Sequence, residues 1–482
     1  MLINKFSQKT APLFENFLAY SRQGIGAFHM PGHRGGRGCE PLFRSLGGEL
    51  LHLDLTELRG ANLDQEPDFL LKKAEKLAAE AFGAQRTYFL VNGASIGIMA
   101  AFLSIKGSAP EVLVARDCHL SVINGLILSG LKPIFLSPVW VEGLSCLPSE
   151  EEIQNALQEY PEVAGVFLTN PGYHGIYGPL KKIAALCHER KVPLLLDEAH
   201  GGHLKYINPA AEEGSTVDAD LWVWGTHKMM GSLTQTGMLH LGSNFQDLNA
   251  VEEALELLNS TSPSYLLLSS LDSTRRQLYF NGQKMFTRAA ELGESIRDKI
   301  RGLQGLKLVD DRFLPAGYGI DPTKIVLSLT PAGWSGIKAE EVLRKRFHVQ
   351  PEYADRDYLY FFISYAQEKE EVTALIQALS SLAAEIGPDQ IKRKDATPPP
   401  WACKPLQLSP REAAERSATC LPFQEAVGEI ASGWVAAYPP GIPLWVPGEE
   451  ITIEMVEWIR AFQRMGGYLR GIKEGKVKII DY

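Results

Sequence analysis

Between residues 70 and 245 the sequence repeatedly runs a short apolar segment into one of helical length, and that alternation leaves few folds open. TYFLVN (87–92), EVLVA (111–115), KPIFL (132–136), GVFLTN (165–170), PLLLDEA (193–199) and DLWVWG (220–225) are apolar on both faces. That is the mark of strands buried on both sides of a mostly parallel sheet. Helices are expected between them at Ser95–Lys106, His119–Ser129, Glu150–Glu159 and Leu180–Lys191. Such alternation implies an α/β layered domain with helices on both faces of the sheet.

After residue 245 the pattern changes. The stretch 249–302 reads as largely helical, broken near Ser262-Pro263. KIVLSLT (324–330), a helix around Ala339–Phe347 and YLYFFISYA (358–366) suggest a smaller α+β domain. Pro398-Pro399-Pro400 marks a linker at about 393–402. Beyond it come a helix at Pro410–Ser417, the Pro/Gly-rich loop YPPGIPLWVPGEE (438–450) and a helix at Ile451–Met465. The expected organisation is an N-terminal segment (1–40), a large domain (41–270), a small α+β domain (271–392) and a C-terminal α+β module (393–482).

A chain of 482 residues is too long for one simple core, which agrees with this division. Its 48 basic and 57 acidic residues leave a net charge of -9, which argues against a nucleic-acid partner. Cys39, Cys118, Cys146, Cys187, Cys403 and Cys420 form no close pair, so reduced thiols are expected rather than disulfides or structural zinc. The first twenty residues mix charges into their apolar positions, unlike a secretion signal. The uncharged stretch 87–105 is interrupted by Asn92, Gly93, Ser95 and Gly97, which fits a strand, a turn and a buried helix rather than a membrane span. A soluble, cytoplasmic protein without membrane or resident metal is expected.

Four features carry chemistry. Gly225-Thr226-His227-Lys228 follows a strand, where a lysine projects into the cleft at the sheet's carboxyl edge. A desolvated lysine forms imines with aldehydes, although a lone lysine after a strand is commonly a solvated loop residue. Asp197 ends a very apolar strand, and its carboxylate there needs a cation or several donors. A protonated pyridine nitrogen would serve, and so would a helix to cap. Val91-Asn92-Gly93-Ala94-Ser95 sets a glycine turn before a helix N-terminus, a place for one phosphate or an ordinary connection. His119 opens the next helix, able to lie flat on a planar ring or simply to cap. Anion turn, histidine, aspartate and lysine occur in the order that a pyridoxal-5′-phosphate (PLP) site in an α/β sheet requires.

The whole chain resembles the bacterial Orn/Lys/Arg decarboxylases, in the short form without an N-terminal receiver-like wing domain. The resemblance rests on FHMPGHRGG (28–36), NGAS (92–95), RDCHLS (116–121), TNPGYHGIYGPL (169–180), LLLDEAHGGH (194–203), WGTHKMMGSLTQTG (224–237), STSPSYLLLSSLD (260–272) and YPPGIPLWVPGE (438–449). It implies a fold-type I PLP enzyme with a PLP-dependent transferase-like large domain, which decarboxylates arginine, lysine or ornithine. Arginine is preferred here on analogy with short-form relatives, and polyamine biosynthesis is the setting implied.

By that resemblance, Lys228 matches the Schiff-base lysine, and His227 the histidine near the cofactor phosphate. Thr226 belongs to the same cofactor-binding run. Asp197 matches the aspartate on the pyridine nitrogen, Ala199 the small residue packed on the ring, and His119 the histidine stacked on the other face. His200 lies where a contact to the ring hydroxyl is expected, and either it or Lys228 would reprotonate Cα. Gly93, Ala94 and Ser95 match the phosphate turn. Thr261 and Ser262 match a segment that reaches the phosphate of a neighbouring subunit, implying a homodimer or larger assembly. Glu449 is a candidate carboxylate for the cationic end of the substrate, or a cap for the helix near Ile451.

The family commonly has G-T-S where this chain has Gly93-Ala94-Ser95, N-P-T-Y where it has Asn170-Pro171-Gly172-Tyr173, and lysine where it has Arg34. Three rival readings remain at this stage. An aminotransferase or α-oxoamine synthase would share Asp197 and the lysine. A metal-dependent hydrolase could use His200 and His203, and a catalytically silent regulatory homologue would keep the fold alone.

Overall fold

The computed structural model describes residues 7–26, 28–56, 58, 69–207, 211–329, 333–386, 398–401 and 403–481. Of the linker expected at 393–402, only 398–401 lies within those residues, and Thr330 of KIVLSLT lies outside them. The chain forms two compact units whose segments interleave. One comprises 1–104, 195–203 and 214–283; the other comprises 105–194, 204–213 and 284–482. The units therefore cut across the sequential segments expected, because the crossovers of an α/β chain leave one unit and return to it.

In the first unit the strand Arg86–Leu90 pairs antiparallel with Gly237–Leu241. That strand pairs antiparallel with Leu221–Trp224, which lies parallel to Leu194–Asp197 with Asp197 opposite Val223. Arg86–Leu90, Leu194–Asp197 and Leu221–Trp224 thus run in one direction and deliver their carboxyl ends to one sheet edge. Leu194 to Asp197 and Leu221 to Trp224 are all buried, as expected for strands covered on both faces. The helix Ala94–Ile105 follows the first of these strands, and the broken helical region resolves into Leu248–Leu258 and a 36-residue helix, Tyr265–Ile300.

In the second unit Glu111–Ala115 pairs parallel with both Lys132–Leu136 and Val166–Thr169. The helices Leu120–Ser129, Glu150–Glu159 and Leu180–Glu189 fall where the sequence placed them. A four-stranded antiparallel sheet includes Lys324–Ser328 and Tyr358–Phe362, and it packs with the helices Gly336–Phe347 and Lys369–Ile386 around Ile325, Leu327, Leu343, Leu359 and Leu379. The C-terminal residues form a separate small core of Trp445, Met455, Ile459, Phe462 and Ile479 beneath the helix Ile453–Arg464. The expected α/β core, small α+β element set and C-terminal α+β module are all present.

Several elements went unanticipated. Gly237–Leu241 is a fully buried strand, and Val139–Val141 with Leu144–Cys146 forms a hairpin. Its two-residue turn, Glu142-Gly143, holds φ at 52° and 83°, the positive pair that a tight hairpin with the right twist requires. Among the described residues, no helix is long and apolar enough to cross a membrane, and no three His, Cys, Asp or Glu side chains gather as metal ligands.

Candidate active site

Three like-directed strands of the first unit end in the sequence segments that carry chemistry. After Arg86–Leu90 the chain turns at Gly93 with φ +82°, a conformation that excludes most side chains, and its N–H donates to the Gln235 carbonyl at 2.7 Å. Gln235 returns its side-chain amide to the Val91 carbonyl at 3.0 Å. The helix then starts at Ala94, with the Ile96 N–H closing the turn onto the Gly93 carbonyl at 3.3 Å. The half-buried Ser95 hydroxyl at this helix N-terminus has no hydrogen-bond partner among the described residues.

After Leu194–Asp197 the Asp197 carboxylate is buried, and its Oδ1 accepts the Ala199 N–H at 3.0 Å. No helix follows it; the chain makes a turn instead, so Asp197 caps nothing. Glu198 beside it is also buried, with Oε1 accepting the Gly214 N–H at 2.8 Å and Oε2 accepting the Trp224 indole N–H at 3.0 Å. Glu198 has no role among the sequence-based expectations, because its partners Gly214 and Trp224 reach it only in the folded chain.

After Leu221–Trp224 the short helix Thr226–Met229 presents Lys228, whose Nζ lies 2.8 Å from Nε2 of His200. A Cβ on Gly225 would stand 2.9 Å from the Ala199 carbonyl oxygen and 3.2 Å from Cδ of Lys228. Glycine is therefore what allows the two strand ends to close together. Nδ1 of His227 bonds the Thr236 carbonyl at 2.7 Å, and burial, with Lys228 adding repulsion, lowers its pKa. Thr226 is fully buried and donates to the Thr236 hydroxyl at 3.3 Å. Thr261 and Ser262 are exposed, with the Ser262 N–H held by the Ser260 hydroxyl at 3.2 Å.

The second unit holds the other two candidates. His119 caps the helix Leu120–Ser129, with Nδ1 accepting the Ser121 N–H at 3.1 Å, which places the proton of a neutral ring on Nε2. The capping role weighed from the sequence is therefore real. Glu449 departs from expectation. It is buried, its Oε2 meets Arg116 at 3.0 Å and accepts the Val446 N–H at 3.0 Å, and Thr452 rather than Glu449 caps the following helix. An ion pair made inside the protein occupies the carboxylate assigned to the substrate, because a buried charge is stable only when paired.

The arrangement in the first unit fits a phosphorylated pyridine aldehyde: a free hydroxyl at a helix N-terminus for the phosphate, a buried carboxylate for a ring nitrogen, and a lysine for the aldehyde. The fold is that of fold-type I PLP enzymes. The chain resembles a lysine decarboxylase LdcF from Francisella novicida with a TM-score of 0.80 at 19% identity, covering 98% of this chain and 81% of that one. It also resembles a ureidoglycine-glyoxylate aminotransferase from Bacillus subtilis with a TM-score of 0.53 at 16% identity, over 65% of this chain and 84% of that one.

The models of the Orn/Lys/Arg decarboxylase major domain and C-terminal domain match residues 11–316 and 396–475. An arginine decarboxylase of Halalkalibacterium halodurans is 34% identical over 96% of each chain, and one of Bacillus subtilis is 32% identical over 94% of each. A lysine decarboxylase LdcA of Pseudomonas aeruginosa is 24% identical over 94% of this chain and 76% of its own. The chain belongs to the Orn/Lys/Arg decarboxylase family and is an amino-acid decarboxylase.

Proposed function

We propose that this protein decarboxylates a basic L-amino acid, arginine before lysine or ornithine, with pyridoxal 5′-phosphate held at Lys228. The observation that carries the reading is the meeting of Gly93–Ser95, Asp197–His200 and Gly225–Lys228 at one sheet edge, with Lys228 Nζ 2.8 Å from His200. The preference for arginine rests on the relatives named arginine decarboxylase that match along nearly their whole length.

When bound, pyridoxal 5′-phosphate supplies the electron sink that lets an amino acid lose its carboxylate as carbon dioxide. The residues of this chain do the rest. The Ser95 hydroxyl and the amides at Ala94 and Ser95 would bind the phosphate at the turn that Gly93 makes, with Thr226 and His227 nearby. Asp197 holds a proton on the pyridine nitrogen, which keeps the ring electron-poor. Ala199 and His119 are the residues that would hold the ring and restrain its plane. His200 orients the Lys228 amine, and one of the two returns a proton to Cα.

Thr261 and Ser262 lie exposed in one chain, which supports a role toward a second copy, so the working assembly is a homodimer at least. A cytoplasmic location and a place in polyamine synthesis accord with this chemistry. The test is direct: the purified holoprotein is incubated separately with arginine, lysine and ornithine, and the amine released is identified. Agmatine as the main product supports the reading. Keto-acid formation without carbon dioxide would favour an aminotransferase.

A further inference from the structure

Arg116 is fully buried at the end of the strand Glu111–Ala115, three residues before His119. Its Nη1 donates to the Pro443 carbonyl at 2.9 Å, and its Nη2 donates to the Leu444 carbonyl at 2.9 Å and to Glu449 Oε2 at 3.0 Å. One guanidinium thus ties down both arms of the loop YPPGIPLWVPGE, with its Cζ 5.1 Å from the centre of the Phe135 ring. A fixed fork of donors is what such a three-way anchor needs.

The same loop carries Gly441, at φ +97°, whose N–H donates to Ala437 O at 3.0 Å and whose carbonyl accepts the Leu120 N–H at 3.0 Å. A Cβ placed on Gly441 would stand 3.2 Å from Nε2 and 3.4 Å from Cδ2 of His119. The imidazole is therefore held on two sides: the Ser121 N–H fixes Nδ1, and the Gly441 backbone lies along the opposite edge.

We propose that Arg116, Glu449 and Gly441 are positioning residues, which seat the C-terminal loop against His119 and so fix the plane in which that ring meets the cofactor. The inference rests on the reading of His119 as the ring-facing histidine. It gives the buried ion pair a purpose in the reaction: Glu449 acts through Arg116 and the loop, and not by contact with substrate. A positive φ and the close approach to the ring together explain why a glycine stands at 441.

The test uses full-length holoprotein carrying Gly441→Ala, Glu449→Gln or Arg116→Lys, with His119→Ala as reference. The readouts are the induced circular dichroism of bound PLP, its dissociation constant from visible absorbance, and kcat and KM measured separately. Gly441→Ala and Glu449→Gln are expected to change the induced dichroism in the same sense as His119→Ala. They should also weaken PLP by about ten-fold and lower kcat roughly 10²-fold with KM little moved. Far-UV dichroism identifies any variant that fails to fold, and the near-isosteric Glu449→Gln then decides. Native dichroism and PLP affinity in the folded loop variants, alongside altered values in His119→Ala, overturn the positioning role. Native values in His119→Ala itself overturn the reading of that histidine, and the positioning role with it.

Discussion

The amine of Lys228 and Nε2 of His200 stand 2.8 Å apart, each one turn beyond the carboxyl end of a different parallel strand. With a lysine ammonium as donor, Nε2 accepts and the imidazole proton resides on Nδ1. Removing this partner leaves the lysine amine free to take other rotamers. His200→Ala is expected to lower kcat roughly 10²-fold, read from carbon dioxide release under saturating substrate, while PLP remains bound.

Asp197 is buried and its Oδ1 accepts the Ala199 N–H; the proposed function gives its other oxygen to a ring nitrogen. Asp197→Asn keeps the shape and removes the charge. The expected result is a drop in kcat of about 10²–10³-fold with the protein still folded. Full activity in this variant would count against the proton-holding role.

Glu198 supports that strand end from behind, accepting the Gly214 amide and the Trp224 indole inside the protein. Glu198→Ala strands two buried donors and opens a cavity, a loss of about 2–4 kcal/mol. A lowered thermal midpoint, with the cofactor absorbance retained below it, is the outcome expected.

His174 is buried, and burial lowers its pKa to about 4. An unfolded chain takes up that proton at higher pH, so stability falls as the pH drops from about 6.5 through 4. Asp117, which burial pushes up to about 6, acts in the opposite sense, because the folded chain keeps its proton more tightly. His174→Gln retains a donor for the Ser145 carbonyl but cannot charge. It should lose less of its thermal midpoint between pH 7 and pH 5 than the unsubstituted protein; the full effect of His174 is about 3 kcal/mol below both pKa values. An unchanged or steeper acid loss would refute this account of His174.

Much of the fold was readable from local pattern. EVLVA and KPIFL became strands with the boundaries expected, because a strand buried on both faces has no polar position to confuse its ends. Gly237–Leu241 escaped notice since His240 interrupts its apolar run. That histidine is fully buried, and its Nδ1 lies 2.9 Å from the Thr87 hydroxyl, a pairing made across the sheet. The hairpin at Glu142-Gly143 was hidden by a non-glycine residue at positive φ, where turn rules point to glycine or asparagine.

Lys228, Asp197 and the Gly93 turn stood out in the sequence because each sits where a strand stops and the chain must do something costly, and the three follow like-directed strands. Glu449 was not, because its partner Arg116 lies 333 residues away and no local pattern reports such a contact. Glu198 shares this cause: Trp224 and Gly214 reach it only once the strands have paired.

The measurement that bears most directly on the central claim is the position of the cofactor linkage. Holoprotein is reduced with borohydride and digested, and the peptide bearing the phosphopyridoxyl group is sequenced by mass spectrometry. The label is expected on Lys228, and Lys228→Ala should lose both the label and the visible absorbance of the bound cofactor. A label on another lysine, or an intact visible spectrum in Lys228→Ala, would contradict the account.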